Sequence, residues 1–414
     1  MKFTKQQWQW MFYDWANSGY GIIVVTAVLP VYFKAVASDA GVSAASSTAC
    51  WGYANSLGTL VVSLLAPLLG ALADYPHAKR RWLNIFTWIG IMLTIGLALV
   101  PDRAWQWLLI IYIGAAIGYS GGNLFYDSFL TDVAPDQQMD QVSSTGYGMG
   151  YLGGVLAFII FLVAQLTNGF NGLLTSYGVA KFSFWLAAIW WIIFAWPLLR
   201  HGQQRYSVQA VKNPFLDSLR RIKQTVVHIR QYRQLTCFLI AYFFYIDGVD
   251  TIFTMATAIG KDLGVETTML MLVLLVVQLI AFPFSILYGW LANKYSPRHV
   301  LIAGICIYLF ICVYALRLQT LRDFWILAIL VGTSQGGVQA LSRSYFGRLV
   351  PKEASSEFFG FYNILGKFSA ILGPVIVGIV TQWTGKSTIG AASLSLLFLI
   401  GLVIFVRLPK IDKK

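Results

Sequence analysis

The sequence predicts an all-α, polytopic membrane protein of twelve transmembrane helices in two pseudo-symmetric six-helix halves. Three observations carry that expectation. The 414 residues are 57% hydrophobic and only 11% charged, whereas about a quarter of a soluble domain is charged. Roughly twelve stretches reach the ~20 apolar residues that a helix needs to cross a bilayer. Features of the first half also recur in the second.

The expected spans are 16–37, 50–73, 82–100, 105–130, 146–166, 180–199, 235–259, 268–292, 299–317, 323–346, 357–381 and 388–407. Ahead of the first, Trp8, Trp10, Phe12 and Trp15 follow a short Lys-bearing start and read as an interfacial lead-in. The 15 Trp, 21 Tyr and 28 Phe suit aromatic belts. Placing both termini in the cytoplasm puts most Lys and Arg on that side, including Lys2, Lys5, Lys79, Arg80, Arg81, Lys410, Lys413 and Lys414. The outer segments then keep only Lys34, Arg103, Lys181, Lys261, Arg317, Arg322 and Lys386, the bias expected of a multi-pass protein. The net charge of +13 therefore reflects membrane topology and not a nucleic-acid face. One cytoplasmic loop, 131–145, is atypical: it has no Lys or Arg and carries Asp132, Asp136 and Asp140.

The expected organisation is an N-terminal half (1–199), a cytoplasmic linker (200–234) and a C-terminal half (235–414). In the linker, Asn213-Pro214 reads as a helix cap followed by proline at the first helical position. Phe215, Leu219, Ile222, Val226 and Ile229 then recur at steps of four and three, with Arg220, Arg221, Lys223, His228 and Arg230 elsewhere on the surface. This pattern predicts a basic amphipathic helix on the inner leaflet, with a protein partner as the alternative. Between the halves, Gly70-Ala71-Leu72-Ala73-Asp74-Tyr75 leads into His77, Lys79, Arg80 and Arg81, as Gly289-Trp290-Leu291-Ala292-Asn293-Lys294 leads into Arg298 and His299. Gly121-Gly122 and Pro135 likewise recur as Gly336-Gly337 and Pro351. Two parallel repeats place a solute site near the midplane between the halves.

Gly70-x-x-x-Asp74 with Lys79, Arg80 and Arg81 resembles the loop motif between spans two and three of the major facilitator superfamily, departing from it at Tyr75-Pro76 and, in the second copy, at Asn293. Four further stretches resemble the vacuole-effluxer-like family, which holds the autophagy-related vacuolar amino-acid exporters of fungi and bacterial relatives. They are Tyr13-Asp14-Trp15-Ala16-Asn17-Ser18; Tyr245-Ile246-Asp247-Gly248-Val249-Asp250-Thr251-Ile252; Gly336-Gly337-Val338-Gln339-Ala340-Leu341-Ser342-Arg343-Ser344; and Glu357-Phe358-Phe359-Gly360-Phe361-Tyr362 running on to Gly366-Lys367-Phe368 and Gly373-Pro374. The resemblance covers nearly the whole chain. It implies gradient-driven export or uptake of a solute, with amino-acid efflux belonging to the fungal branch.

A charge at the bilayer centre costs roughly 2.5–3.5 kcal/mol on insertion scales, so intramembrane charges tend to line cavities or pair. Asp247 and Asp250 share a face of span seven and are candidates for proton coupling or for binding a substrate amine, Asp247 ranking first by depth; the alternative is a structural pair neutralised by Arg343 or Lys367. Arg343 is either an ion-pair partner or a side chain snorkelling to the headgroups. Lys367 is placed to hold a substrate carboxylate or an Asp partner. Asp14 reads as a helix-dipole contact or a gate. Asp127 is expected in a cytoplasmic gate with Arg80 or Arg81, alongside the loop-motif residues Gly70 and Asp74. Asn17, Tyr20, Asn123, Tyr126, Gln278, Gln335, Gln339 and Asn363 are polar neighbours, each either a cavity contact or a helix–helix hydrogen bond.

Other motifs are set aside. Gly148-x-Gly150-x-x-Gly153 lacks a preceding strand. Gly146, Gly150 and Gly154, like Gly114, Gly118 and Gly122, form small-residue packing stripes. Thr384-Gly385-Lys386-Ser387 lacks the first glycine of a P-loop, Val380 standing there. Cys50, Cys237, Cys306 and Cys312 form no C-x-x-C, and no cofactor or metal is expected. The expected function is therefore a non-enzymatic secondary active transporter in the cell membrane. Its expected partners are a small-molecule solute, amino acids among them, membrane lipids, and protons as coupling ion, with no nucleic acid; the expected state is a monomer. The rivals are a drug or lipid exporter of the same fold, a membrane-embedded enzyme such as an acyltransferase, and a receptor. His77, His201, His228 and His299 all lie among basic residues in connections, with no acidic partner that would favour an enzyme.

Overall fold

The computed structural model describes residues 2–262, 264–369 and 371–409. Lys410, Lys413 and Lys414 of the charge pattern lie outside the described residues, as do the side chains of Ile229, Arg230 and Lys261. Among the described residues, twelve helices are long and apolar enough to cross a membrane: Lys5–Asp39, Ala44–Ala73, Ala78–Leu99, Trp105–Val133, Met139–Leu166, Ser176–His201, Arg233–Ala256, Leu272–Lys294, Pro297–Ala315, Leu321–Leu349, Lys352–Thr384 and Ser387–Val406. Among the described residues there is no strand.

Local sequence explains several boundaries. Thr4 and Gln7 form a capping box that starts span one at Lys5, and Thr320 with Asp323 does the same for span ten. Ser43 caps span two, so it begins at Ala44 and not near 50. The largest departure from expectation is at the N-terminus. The lead-in is helical and continuous with span one, with Gln7, Gln9, Trp10 and Met11 buried. Asp14 therefore lies in the third turn, away from the helix end, and a dipole contact does not explain it. Further along, span one widens into a π-helical stretch, Gly21–Ala27, a distortion that often marks functional sites.

The halves repeat one packing scheme. In the first, span one packs on five and six, span four on two and three, and three on six; in the second, seven packs on eleven and twelve, ten on eight and nine, and nine on twelve. Glycine permits the tightest of these contacts: a Cβ on Gly118 would stand 2.3 Å from the backbone nitrogen of Gly90, so spans three and four touch along their backbones. The stripe Gly146, Gly150 and Gly154 faces Trp10, Asp14 and Ser18 of span one.

Between the halves the pseudo-symmetry holds as well. Span two crosses span eleven, and span five crosses span eight. At the first crossing, a Cβ on Gly70 would lie 2.1 Å from the carbonyl oxygen of Ser356. At the second, a Cβ on Gly289 would lie 2.7 Å from that of Ser144. Both crossings lie toward the face where span one begins and span twelve ends, here called the terminal face.

Candidate transport site and gate

A cavity of about 400 Å³ lies between the halves. Spans one, four and five contribute Asp14, Asn17, Asn123, Tyr126, Asp127, Tyr147 and Tyr151; spans seven, eight, ten and eleven contribute Asp250, Gln278, Gln335, Gln339, Arg343, Asn363 and Lys367. It continues toward the face opposite the termini as a space of about 600 Å³ with more apolar walls, including Ile22, Val25, Phe158, Leu270 and Leu274. Asp250 and Lys367 line both parts.

Asn17 donates to Asn123 at 2.6 Å. Gln339 accepts from Tyr151 at 2.9 Å and donates to Asp250 at 3.5 Å. Asn363 is bonded back to the carbonyl of Phe359 in its own helix. The Oε1 atoms of Gln278 and Gln335 are buried without a protein partner. Both residues line the cavity, so each oxygen can accept from a donor held there. Tyr20 does not reach the cavity; its ring packs against Tyr119 and Trp191.

Asp247 and Asp250 separate, contrary to the expected ranking. Asp247 is fully buried and accepts from the backbone N–H of Gly373 at 2.9 Å and from Thr251 at 3.2 Å. It does not line the cavity; it ties span seven to the second part of span eleven, where Leu372–Thr384 restarts after the segment Ser355–Ser369. Asp250, one turn on, faces the cavity with Lys367.

Beneath the cavity, toward the terminal face, lies a stack of cross-half ion pairs. Arg343 does not snorkel. It is buried, bonds Asp127 at 2.9 Å and Asp14 at 3.3 Å, and donates to Ser143. The rings of Tyr147, Trp10 and Tyr126 surround its guanidinium, with centroids at 4.2, 4.7 and 5.3 Å. Tyr126 also donates to Asp14 at 2.8 Å. The expected pairing of Asp127 with Arg80 or Arg81 is thus incorrect: both arginines are exposed, and Arg80 donates to the carbonyl of Arg200. The buried cation of the motif is Lys79, which bonds Asp132 at 2.6 Å and Ser355 at 2.9 Å.

This explains the acidic loop. Asp132 holds Lys79, Asp136 bonds Lys352 at 2.7 Å, and Asp140 bonds Arg348 and Ser344. Its three carboxylates face cations and hydroxyls that end or follow span ten, or the loop motif itself. The signal was present in the sequence as an acid-only loop opposite Arg343, Arg348 and Lys352, but the partners lie some 200 residues away.

Asp74 adds a further contact between the halves. It caps the start of span eleven, accepting from the N–H of Ser356 at 2.8 Å and of Glu357 at 3.1 Å. Arg221 of the linker bonds Asp74 at 3.1 Å and Glu357 at 2.8 Å. Burial pushes the Asp74 carboxyl up to about 6, with Lys79 and Arg221 opposing the rise. Because the folded-state value lies above the ordinary 3.8, the contribution of Asp74 to stability is fully present below about pH 4 and is lost as pH rises through about 6. Relative to an Asp74→Asn variant, the wild type is therefore expected to lose about 3 kcal/mol of stability across that window. Thermal melts of the two proteins between about pH 4 and about pH 8 check this; parallel curves would contradict it.

Comparisons with known proteins fit this geometry. A family model described as "Vacuole effluxer Atg22 like" matches residues 3–413. The MFS-type transporter YxiO of Bacillus subtilis (strain 168) is 47% identical, covering 99% of this chain and 96% of its own length. Autophagy-related protein 22 of Coccidioides immitis (strain RS) is 22% identical over 84% of this chain and 70% of that protein. Among solved structures, the E. coli fucose:proton symporter FucP aligns with a TM-score of 0.74 at 14% identity, covering 98% of both chains. The chain belongs to the vacuole effluxer Atg22-like family and is a transporter of the major facilitator type rather than an enzyme.

Proposed function

We propose that this chain is a secondary active transporter that carries a small polar solute by alternating access, with amino acids as the leading solute class and protons as the coupling ion. The carrying observation is the midplane cavity, which brings a carboxylate, an ammonium and two unbonded carboxamide oxygens together between the halves. A zwitterion suits that set: Lys367 takes a carboxylate, while Asp250, Gln278 and Gln335 offer acceptors to an ammonium. The halves, 1–199 and 235–414, rock about the site, and 200–234 links them. The terminal face is cytoplasmic, as the excess of Lys and Arg there favours. The gate is then sealed toward the cytoplasm and the cavity opens outward. The protein works as a monomer among the lipids of the cell membrane.

Asp250 replaces Asp247 as the residue we assign to proton coupling, since it lines the solute cavity while Asp247 is engaged with Gly373. The apolar walls of the outer space favour a second reading, export of lipophilic solutes.

A ligand screen by thermal shift on detergent-purified protein tests the proposal, using amino acids, small peptides, nucleosides and cationic drugs at two pH values. An amino-acid hit is expected, weakened at least about 30-fold in Lys367→Ala and in Asp250→Asn. Equal affinity in both variants would sink the assignment of the site. Hits confined to lipophilic cations would move the reading to drug efflux.

A further inference from the structure

The linker helix, Pro214–Val227, has three faces and not two. Along one edge Asp217 accepts from Tyr75 at 2.7 Å, Arg221 bridges Asp74 and Glu357, and Thr225 donates to Glu357 at 2.7 Å. This edge docks on protein, a contact that the amphipathic pattern alone does not foretell. At about 100° per residue, Phe215, Leu219, Ile222 and Val226 form a second stripe, turned roughly 120° from the first. Phe215, Leu219 and Val226 are between 43% and 51% exposed, so the described residues leave about half of each uncovered. Arg220 and Lys223 flank it, also exposed. The only acid between residues 200 and 234 is Asp217, and it is turned toward Tyr75.

We propose that this stripe rests on an anionic bilayer surface and that the lipid contact strengthens the sealed gate. The inference builds on the alternating-access reading above. An apolar stripe edged by cations matches an interface of acyl chains and anionic headgroups. The coupling follows from where Arg221 reaches. Asp74 belongs to the first half and Glu357 to the second, and one guanidinium spans both only while spans two and eleven stay crossed. Tyr75 and Thr225 fix the helix in the position from which Arg221 makes that bridge. A lipid surface that holds the helix in this place therefore binds the sealed state better than the parted one, which is the condition for shifting the equilibrium.

The test uses the full chain reconstituted in vesicles, either of phosphatidylcholine alone or with about one third phosphatidylglycerol. Spin labels sit at Gln137→Cys and Asn293→Cys, exposed positions on the terminal face of opposite halves, with Cys50, Cys237, Cys306 and Cys312 changed to alanine. The ratio of the short to the long label distance reports sealed against parted. Phosphatidylglycerol is expected to raise that ratio about fivefold in the wild type. Leu219→Glu combined with Lys223→Glu removes the lipid effect while keeping the phosphatidylcholine ratio. Arg221→Ala lowers the ratio in both lipids and makes the two equal. Two distances in the same ratio in both lipids overturn the lipid latch alone, as does a lipid effect that survives Leu219→Glu/Lys223→Glu. A single distance in every condition overturns the latch together with alternating access.

Discussion

Arg343→Met is expected to cost about 3–5 kcal/mol, appearing as a lowered melting temperature or as a terminal face that no longer stays shut. The reason is what it leaves behind. Asp14 and Asp127 both point at the guanidinium, and the pocket around it is built from Trp10, Tyr126 and Tyr147. Without the cation, two largely buried carboxylates face each other at the floor of the cavity. Arg343→Lys is not expected to rescue. A single ammonium cannot bond Asp127, Asp14 and both Ser143 oxygens, nor lie flat between rings. The triple variant Arg343→Met/Asp14→Asn/Asp127→Asn is expected to recover most of the lost stability, because it removes the stranded charges along with their partner. Thermal melts of the three proteins, with the label distances described above, read both effects. If Arg343→Met changed neither, the guanidinium would not be holding the halves together.

The sequence made the architecture legible because apolar length and charge placement follow directly from the solvent. A span must be apolar for about 20 residues whatever it packs against. The repeated glycines were legible for a related reason, since close backbone crossings exclude a Cβ. What escaped depended on helix phase and on distant partners. Asp247 and Asp250 sit one turn apart, and their spacing cannot say which of the two meets the N–H of Gly373 across the half and which meets the cavity. Lys79, Arg80 and Arg81 are consecutive cations; only the angle at which span three begins turns the first inward and leaves the others in solvent. Trp8, Trp10 and Phe12 looked interfacial because aromatics favour interfaces, yet Trp10 is needed in the core, where its indole N–H donates to the carbonyl of Tyr126. The polar neighbours, Tyr20 apart, come together around one cavity, because buried carboxamides in a bundle meet either each other or the cavity.

That helix-phase argument predicts a sharp contrast among the three cations of the loop motif. Lys79→Met is expected to destabilise the protein by about 3 kcal/mol, whereas Arg80→Met and Arg81→Met should each stay within about 0.5 kcal/mol of the wild type. Lys79 and Asp132 are both fully enclosed, and an enclosed carboxylate that loses its counter-charge retains only its hydrogen bonds. Asp132 does retain two: its other oxygen accepts from the backbone N–H groups of Arg205 at 2.8 Å and Tyr206 at 3.0 Å. Those contacts make the pair directional. Exchanging the charges, as Lys79→Asp with Asp132→Lys, is therefore expected to fail, since an ammonium cannot accept from two N–H donors. Lys79→Met with Asp132→Asn is expected to recover much of the loss, because the carboxamide oxygen still accepts from Arg205 and Tyr206. Thermal melts of the single and double variants decide it. A cost for Arg80→Met equal to that for Lys79→Met, or full rescue by the exchanged pair, would mean that the motif acts through surface charge and not through one buried, oriented ion pair.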